Sequence, residues 1–354
     1  MEYHKTKITI IVTVYNKENY IAKCLKSIFA QTDKDYKLII VDDGSTDKSL
    51  EICKKIIKCF SKAIDIKLIS KPHEGTSVAR NTGTKWADTD YVFFVDGDDI
   101  IASNAIEKLN KIADHTPDFV IFGINYALKD GSIVFNDKLP DCFYSNKENI
   151  RENLVSLWDS NLMNSSCNKL FSLKIINDNN LCFKNKDFGE DLTFVCDYIK
   201  HCKTALTMKE CLYTYREHTI DSQSKRYRND FFEIWKALFA DLESFFREMD
   251  LHDKKTKEFI SRRYIERVVG CIENEASLWN RQSFKGKYKK AYSIVNDKTV
   301  QKRVLIAKPR SKKMIVLSWL LKHKMAKTLF LMGIEISVIR NVFPKVFIIL
   351  KMHR

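Results

Sequence analysis

The chain is poor in turn-forming residues, with ten Gly and five Pro in 354 residues. That excludes collagen-like and linker-dominated designs, which depend on those two residues. Its ten Cys include no CxxC pair, and their positions (24, 53, 59, 142, 167, 182, 196, 202, 211 and 271) fit neither a zinc site nor a small disulfide scaffold. They read as reduced, mostly buried small apolar side chains, which implies a reducing compartment. No apolar run approaches the about 18 residues of a spanning helix. The tail runs Met314–Leu321 and Val346–Leu350 are short, and Glu335, Arg340, Pro344 and Lys345 interrupt the longest candidate, Thr328–Leu350. Ile8–Val14 follows two lysines, but YNKENY stands where a signal peptide would need small residues, so a buried strand and a cytoplasmic protein are expected. Zinc-finger, RNP and KH patterns are missing, which speaks against a nucleic-acid module. With no GxGxxG after the first strand and no GxxxxGK[ST], the chain is neither an ordinary dinucleotide domain nor a P-loop protein.

What is present is a core-forming composition, 45% hydrophobic, in a length that suggests two domains. The charge is uneven. Of the net +15, the segment 301–354 carries +12, from thirteen Lys+Arg and the single acid Glu335. The basicity therefore belongs to the tail. Basic and apolar but too interrupted to span, this tail suits an anionic membrane surface. A helical bundle with a basic outer face, or a role in homo-oligomerisation, fits the same pattern.

Ile8–Val14 (ITIIVTV) is a β-branched run suited to a strand buried on both faces. Ile21, Leu25, Ile28 and Phe29 then mark one face of a helix. Leu38–Val41, Ile64–Ile69, Tyr91–Val95 and Phe119–Ile124 read as further strands. Helices are expected after Thr46 or Asp47 to Phe60, over Thr76–Trp86 and near Asn104–Ile112. This alternation predicts a parallel sheet with right-handed crossovers. From Asn125 to Asn161 the pattern is polar and irregular, read as a hairpin and a loop. A short strand and turn (Asn168–Ile176), a helix (Asp191–Tyr198) and a last strand (Leu212–Arg216) follow. Beyond that the character is helical, placing one domain at 1–225 and a basic helical domain at 226–354.

Two acidic clusters, Asp42-Asp43 and Asp96-Gly97-Asp98-Asp99, fall at carboxyl ends of strands, where open parallel sheets bind ligands. Three carboxylates in four residues repel one another unless positive charge sits among them. Such an oxygen-rich cluster suits Mg²⁺ or Mn²⁺ shared with a ligand's phosphates, with Gly97 allowing close approach of the backbone. A solvated acidic turn capping the next helix is the plainer reading.

The ordered set VTVYN (Val12–Asn16), VDDGSTD (Val41–Asp47), GTSVARNTG (Gly75–Gly83), VDGDD (Val95–Asp99) and GEDLTF (Gly189–Phe194) resembles the family 2 glycosyltransferases, nucleotide-sugar-dependent enzymes of the GT-A fold. The resemblance covers about residues 6–220 and implies an α/β GT-A fold, a Rossmann-like mostly parallel sheet flanked by helices. It also implies roles by position. Tyr15 matches the residue beside the uracil ring, Asp43 the acid bonded to the base N3–H, and Arg80 a nucleotide contact. Asp96 is expected near the ribose and metal, Asp98 as the direct metal ligand, and Asp191 as the catalytic base. Asn168–Phe171 resembles a segment whose lysine, here Lys169, approaches the diphosphate or acceptor; a surface lysine is the alternative. Tyr215–His218 resembles a segment supplying a phosphate contact or third metal ligand, here His218, for which a structural role stays open. Thr13 stands where the family usually has proline, and Gly97 where Ser is commoner. His73 and Glu74, just before Gly75, are open to a substrate-side reading.

Glycosyl transfer needs a cation against the leaving diphosphate and a carboxylate to take the acceptor proton, so these residue types suit that chemistry. In-line attack with one base predicts inversion. Asp191 has a competing explanation, since acids at a helix start are favoured by the helix dipole. The expected enzyme is thus an inverting, metal-dependent transferase using a UDP-sugar. Its expected acceptor is a cell-surface polysaccharide, teichoic acid or lipid-linked unit at the inner membrane face, with no nucleic-acid partner. A non-catalytic nucleotide-sugar-binding or membrane scaffold protein of the same fold is the alternative.

Overall fold

The computed structural model describes residues 6–60, 64–128, 130–186, 188–216 and 227–342. The chain divides into two compact units, Met1–His218 and Thr219–Arg354.

The first unit is built on one ten-stranded sheet. Its strands are β1 (Ile8–Val14), β2 (Lys37–Asp42), β3 (Asp65–Ser70), β4 (Tyr91–Asp96), β5 (Ile100–Ile101), β6 (Phe119–Ala127), β7 (Ile133–Asp137), β8 (Cys142–Tyr144), β9 (Lys169–Ser172) and β10 (Ala205–Arg216). Their order is β3-β2-β1-β4-β9-β6-β10-β5, with β7 added to β6 and β8 to β10. Every residue of β1 is buried, as its unbroken β-branched run requires. Strands β1 to β4 pair in parallel. The sheet as a whole is mixed: β9 runs antiparallel to both β4 and β6. Beyond it β10 returns parallel to β6. A four-residue strand inserted between two longer ones leaves no period from which its direction could be read.

Register matters more than strand count. Thr13 at the end of β1 lies beside Val41 on one side and Asp96 on the other. The first-strand turn, the Asp42-Asp43 turn and the Asp96–Asp99 turn therefore leave the sheet along one edge. The helix Ile21–Phe29 buries Ile21, Cys24, Leu25, Ile28 and Phe29, the predicted face and one cysteine. The helix Lys147–Asp159 falls in the stretch read as irregular. Asn146 caps it by accepting the Asn149 N–H at 2.9 Å, and Ile150, Leu154, Leu157 and Trp158 form its buried face. Interleaved charged and amide residues hide that stripe.

An aromatic cluster fixes the helix Glu190–Ile199 to the sheet. Phe194 stacks on Phe183 with ring centroids 3.9 Å apart, and meets Phe171 of β9 edge-on at 5.3 Å. Phe94 of β4 packs edge-on against Phe183 and Phe171. Burying rings of this size, each contributing about 1.5–3 kcal/mol, makes the helix start a fixed point of the fold.

The second unit contains the helices Phe231–Glu248, Lys254–Glu275, Phe284–Val295, Lys298–Ile306, Lys312–Lys322 and Ala326–Val342. Lys254–Glu275 is the most deeply buried, and Asp253, Ser283, Asp297 and Ser311 cap their respective helices through side-chain oxygens. Among the described residues no helix is long and apolar enough to cross a membrane.

Candidate active site

The site begins where β1 ends. Asn16 adopts a left-handed backbone (φ 50°), and its side-chain oxygen accepts the Thr46 N–H at 2.8 Å, knitting the first turn to the Asp42–Asp47 turn. Tyr15 is thereby left 37% exposed. Its ring lies flat on His73, with centroids 3.8 Å apart and planes at 12°.

Asp43, expected at the nucleobase, is instead held by its own neighbourhood. Its Oδ1 accepts from Lys71 Nζ at 2.7 Å and from the Glu74 N–H at 3.1 Å. Its Oδ2 accepts from the Gly75 N–H and meets His73 Nδ1, both at 2.8 Å. Burial alone would raise this carboxyl, but Lys71 and the two amides prevail and hold it below the usual aspartate value. All four acceptor positions are thus used internally, because the loop 71–75 folds directly over the carboxylate.

The three acids of the Asp96–Asp99 cluster separate. Asp96, at the end of β4, accepts from Arg80 at 3.0 Å and from the Thr13 hydroxyl at 3.4 Å. Burial opposes its charge, yet Arg80 and Lys17 keep its pKa below normal. Asp98 pairs with the Lys17 ammonium. Asp99 turns inward, where the Tyr213 hydroxyl meets it at 2.5 Å and the Arg216 N–H at 2.9 Å. Burial and the charges of Asp98 and Asp96 push Asp99 well above the ordinary range, so it belongs to the anchoring of β10 rather than to an open ligand face. Gly97 is buried, and a Cβ there would sit 2.9 Å from the Thr13 carbonyl oxygen, so its small size is needed for packing against β1.

A second group of charges closes the site from the far side. Arg80, 2% exposed, donates to Asp191 Oδ1 at 2.6 Å while also holding Asp96, and lies 3.6 Å from Glu190. The Ser166 hydroxyl donates to the same Asp191 oxygen at 2.7 Å. Both bonds fall on Oδ1; Oδ2 receives no hydrogen bond from the described residues. Burial and then the Asp191 charge raise the Glu190 carboxyl. Arg80 therefore makes no open nucleotide face in this structure. A guanidinium with two carboxylates on it acts as a brace between the Asp96 strand end and the Asp191 helix start.

Lys169 departs furthest from expectation. It is fully buried, and its ammonium meets the carbonyls of Leu162 and Ser165, both at 2.5 Å, and Asn168 Oδ1 at 2.8 Å. Three protons meet three acceptors, although burial pulls the group down to about 7. It fastens the loop that presents Ser166 to Asp191 and does not reach a ligand directly. His218 lies outside the described residues. Sequence reasoning passed over Lys17, Lys71 and Ser166. Only Lys17 left a trace, two positions after Tyr15 in the same turn.

Asp96 and Asp98 are oxygen donors of one turn, with side chains 36% and 18% exposed, and each already faces a positive group, Arg80 and Lys17. Among the described residues no cluster of three or more His, Cys, Asp or Glu is placed to hold a metal. The pair therefore suits a cation that takes its remaining ligands from a diphosphate and water.

Residues 9–179 match the model of glycosyl transferase family 2. Over that stretch the chain carries a domain of the family 2 type. Among curated relatives, glycosyltransferase GlyA of Streptococcus pneumoniae is 35% identical over 217 residues, 59% of this chain and 30% of its own length. The teichoic acid poly(glycerol phosphate) polymerase of Staphylococcus epidermidis is 29% identical over 272 residues, 73% of this chain and 37% of its own length. The chain thus spans about a third of the length of these two relatives. In structure it resembles residues 1–349 of S. aureus TarS in complex with UDP-GlcNAc, with TM-score 0.64 and 20% identity over 95% of this chain and 91% of that one. That likeness is one of fold, and it covers the GT-A architecture together with the C-terminal helical region.

Proposed function

We propose that this chain is an inverting, cation-dependent glycosyltransferase that moves a sugar from a UDP-sugar to a hydroxyl of a cell-surface polysaccharide, teichoic acid or lipid-linked acceptor. The observation that carries the reading is the Arg80 brace, which sets Asp191 and Asp96 on either side of one guanidinium. The carboxylate for the acceptor and the carboxylates for the donor are thereby held in one rigid frame. Preference for a uridine nucleotide follows the VDDGS resemblance and the UDP-GlcNAc bound by TarS. The acceptor class follows the teichoic acid polymerase and the basic tail.

In this mechanism Asp191 Oδ2 takes the proton of the acceptor hydroxyl, while Arg80 and Ser166 fix the carboxylate through Oδ1. The acceptor oxygen forms its bond to the anomeric carbon as the bond to the diphosphate oxygen breaks, and UDP leaves with that electron pair. Attack from the face opposite the leaving group inverts the anomeric centre. Asp96 and Asp98 are the residues that would hold Mn²⁺ or Mg²⁺, which when bound supplies positive charge against the leaving diphosphate. Glu190, raised by burial beside Asp191, keeps a second full negative charge away from the base.

For localisation, the reading is a peripheral enzyme at the inner face of the cell membrane. On the helix Lys312–Lys322, Ile315, Val316 and Trp319 are each 53% exposed on a segment that begins with two lysines and ends with one. An apolar patch ringed by cations suits the surface of anionic lipid.

The deciding experiment is a hydrolysis and transfer screen with UDP-Glc, UDP-Gal, UDP-GlcNAc, UDP-GalNAc and a GDP-sugar, with Mn²⁺ and with EDTA. Transfer from a UDP-sugar that EDTA abolishes supports the reading; activity with the GDP-sugar alone would remove the uridine assignment. Asp191→Asn should lower turnover by about 10²–10⁴-fold while UDP binding persists. Unchanged turnover would remove Asp191 as the base.

A further inference from the structure

The contacts of His73 are those a bound uracil is expected to make. Its ring lies on Tyr15 at 3.8 Å, nearly parallel. Its Nδ1 meets Asp43 Oδ2 at 2.8 Å, and since a carboxylate only accepts, the ring N–H is the donor. A flat heterocycle with one N–H on Asp43 and one face on Tyr15 already fills the base position. We propose that His73 is an internal stand-in for the nucleobase, which the uridine nucleotide must displace, and so sets donor affinity. This rests on the reading that a uridine nucleotide binds at Tyr15 and Asp43.

The local construction allows displacement without unfolding the loop. His73 is about half exposed, so rotation about its side-chain bonds carries the ring into water. The loop backbone stays behind. Gly44 lies so close beneath it that a Cβ would be 2.6 Å from the His73 backbone nitrogen. Lys71 and the Glu74 and Gly75 amides still hold Asp43 when the ring leaves. Oδ2 gives up one partner, and the Asp43 backbone carbonyl loses its longer, 3.2 Å contact with the same ring nitrogen. The vacated Oδ2 is where the imino N–H of a uracil can be received. The same exchange explains why Asp43 is saturated here and yet remains suited to a base.

The internal competitor reduces affinity in proportion to the time it is seated. One stacked aromatic pair and its hydrogen bond correspond to a change of roughly three- to tenfold. The test is calorimetric titration of the full chain with UDP and Mn²⁺, comparing wild type with His73→Ala and His73→Phe. His73→Ala should bind UDP roughly three- to tenfold more tightly. His73→Phe, which keeps a ring on Tyr15 without the N–H, should gain less. A structure of the UDP complex should show the His73 ring off Tyr15 with the Glu74 and Gly75 amides still on Asp43. Weaker or unchanged binding by His73→Ala, or a UDP complex in which His73 still covers Tyr15, overturns the proposal. If the wild type binds no UDP but binds another nucleotide, the uridine reading itself fails, a result distinguishable from wild-type UDP binding without a gain in the alanine variant.

Discussion

Replacing Arg80 with methionine keeps most of its volume and removes the charge that Asp96, Asp191 and Glu190 face. In the wild type the Arg80 side chain is buried and those of Asp96, Asp191 and Glu190 are 36%, 22% and 20% exposed. Breaking a fully buried ion pair costs about 3–5 kcal/mol. Because these acids are partly hydrated, the figure is discounted to about 2–4 kcal/mol. For a unit of this size that lowers Tm by roughly 5–15 °C. The sign with pH is fixed by the acids. In the wild type Arg80 holds the Asp96 pKa down, so its contribution is present above the ordinary aspartate value and lost as pH falls through the depressed one. In R80M the unpaired acids hold protons more tightly folded than unfolded, so stability falls as pH rises. The gap between R80M and wild type should therefore be widest near pH 8 and narrow toward pH 5. Urea denaturation followed by circular dichroism across that range measures it. A gap independent of pH would refute the electrostatic account and leave only lost packing.

Three further outcomes follow from the same geometry. Ser166→Ala removes one of the two bonds on Asp191 Oδ1. With a bond to a charged group contributing about 1.5–3 kcal/mol, kcat should fall by more than tenfold with little change in the KM for donor, and an equal rise in KM would place Ser166 in binding instead. Gly97→Ala puts a Cβ 2.9 Å from the Thr13 carbonyl oxygen and should cost about 1–3 kcal/mol in chemical denaturation, whereas a neutral result would mean the turn yields freely. Changing Ile315, Val316 and Trp319 together to Glu should abolish co-sedimentation with phosphatidylglycerol vesicles, and wild-type binding should weaken with salt; equal binding to neutral vesicles would count against an electrostatic surface role.

Much of the architecture was legible before any coordinates. Unbroken β-branched runs such as Ile8–Val14 mark strands buried on both faces, and the acids stand at the strand ends where the pattern places them. Illegible elements failed for definite reasons. The helix Lys147–Asp159 carries its apolar stripe under a polar majority, and β9 is too short to show a period or a direction. In the site, the motifs located Asp43, Asp96, Asp98 and Asp191 but not the state of any of them. Lys169 reads as a surface lysine or a ligand contact until the three carbonyl-type oxygens around it are seen.

By itself the sequence determined which residue types stand at each strand end, the concentration of positive charge in the tail, and the order of the motifs. Those are local or additive properties, carried by neighbouring residues and by composition. Only the tertiary structure decided the partners. Arg80 and Asp191 are 111 residues apart in the chain, and Lys17 and Asp98 are 81 apart. Whether an acid is braced, paired or turned inward depends on distances that chain folding sets, and each changes its charge and its chemistry. That is how a run of acids becomes one brace point, one cation-facing carboxylate and one structural anchor.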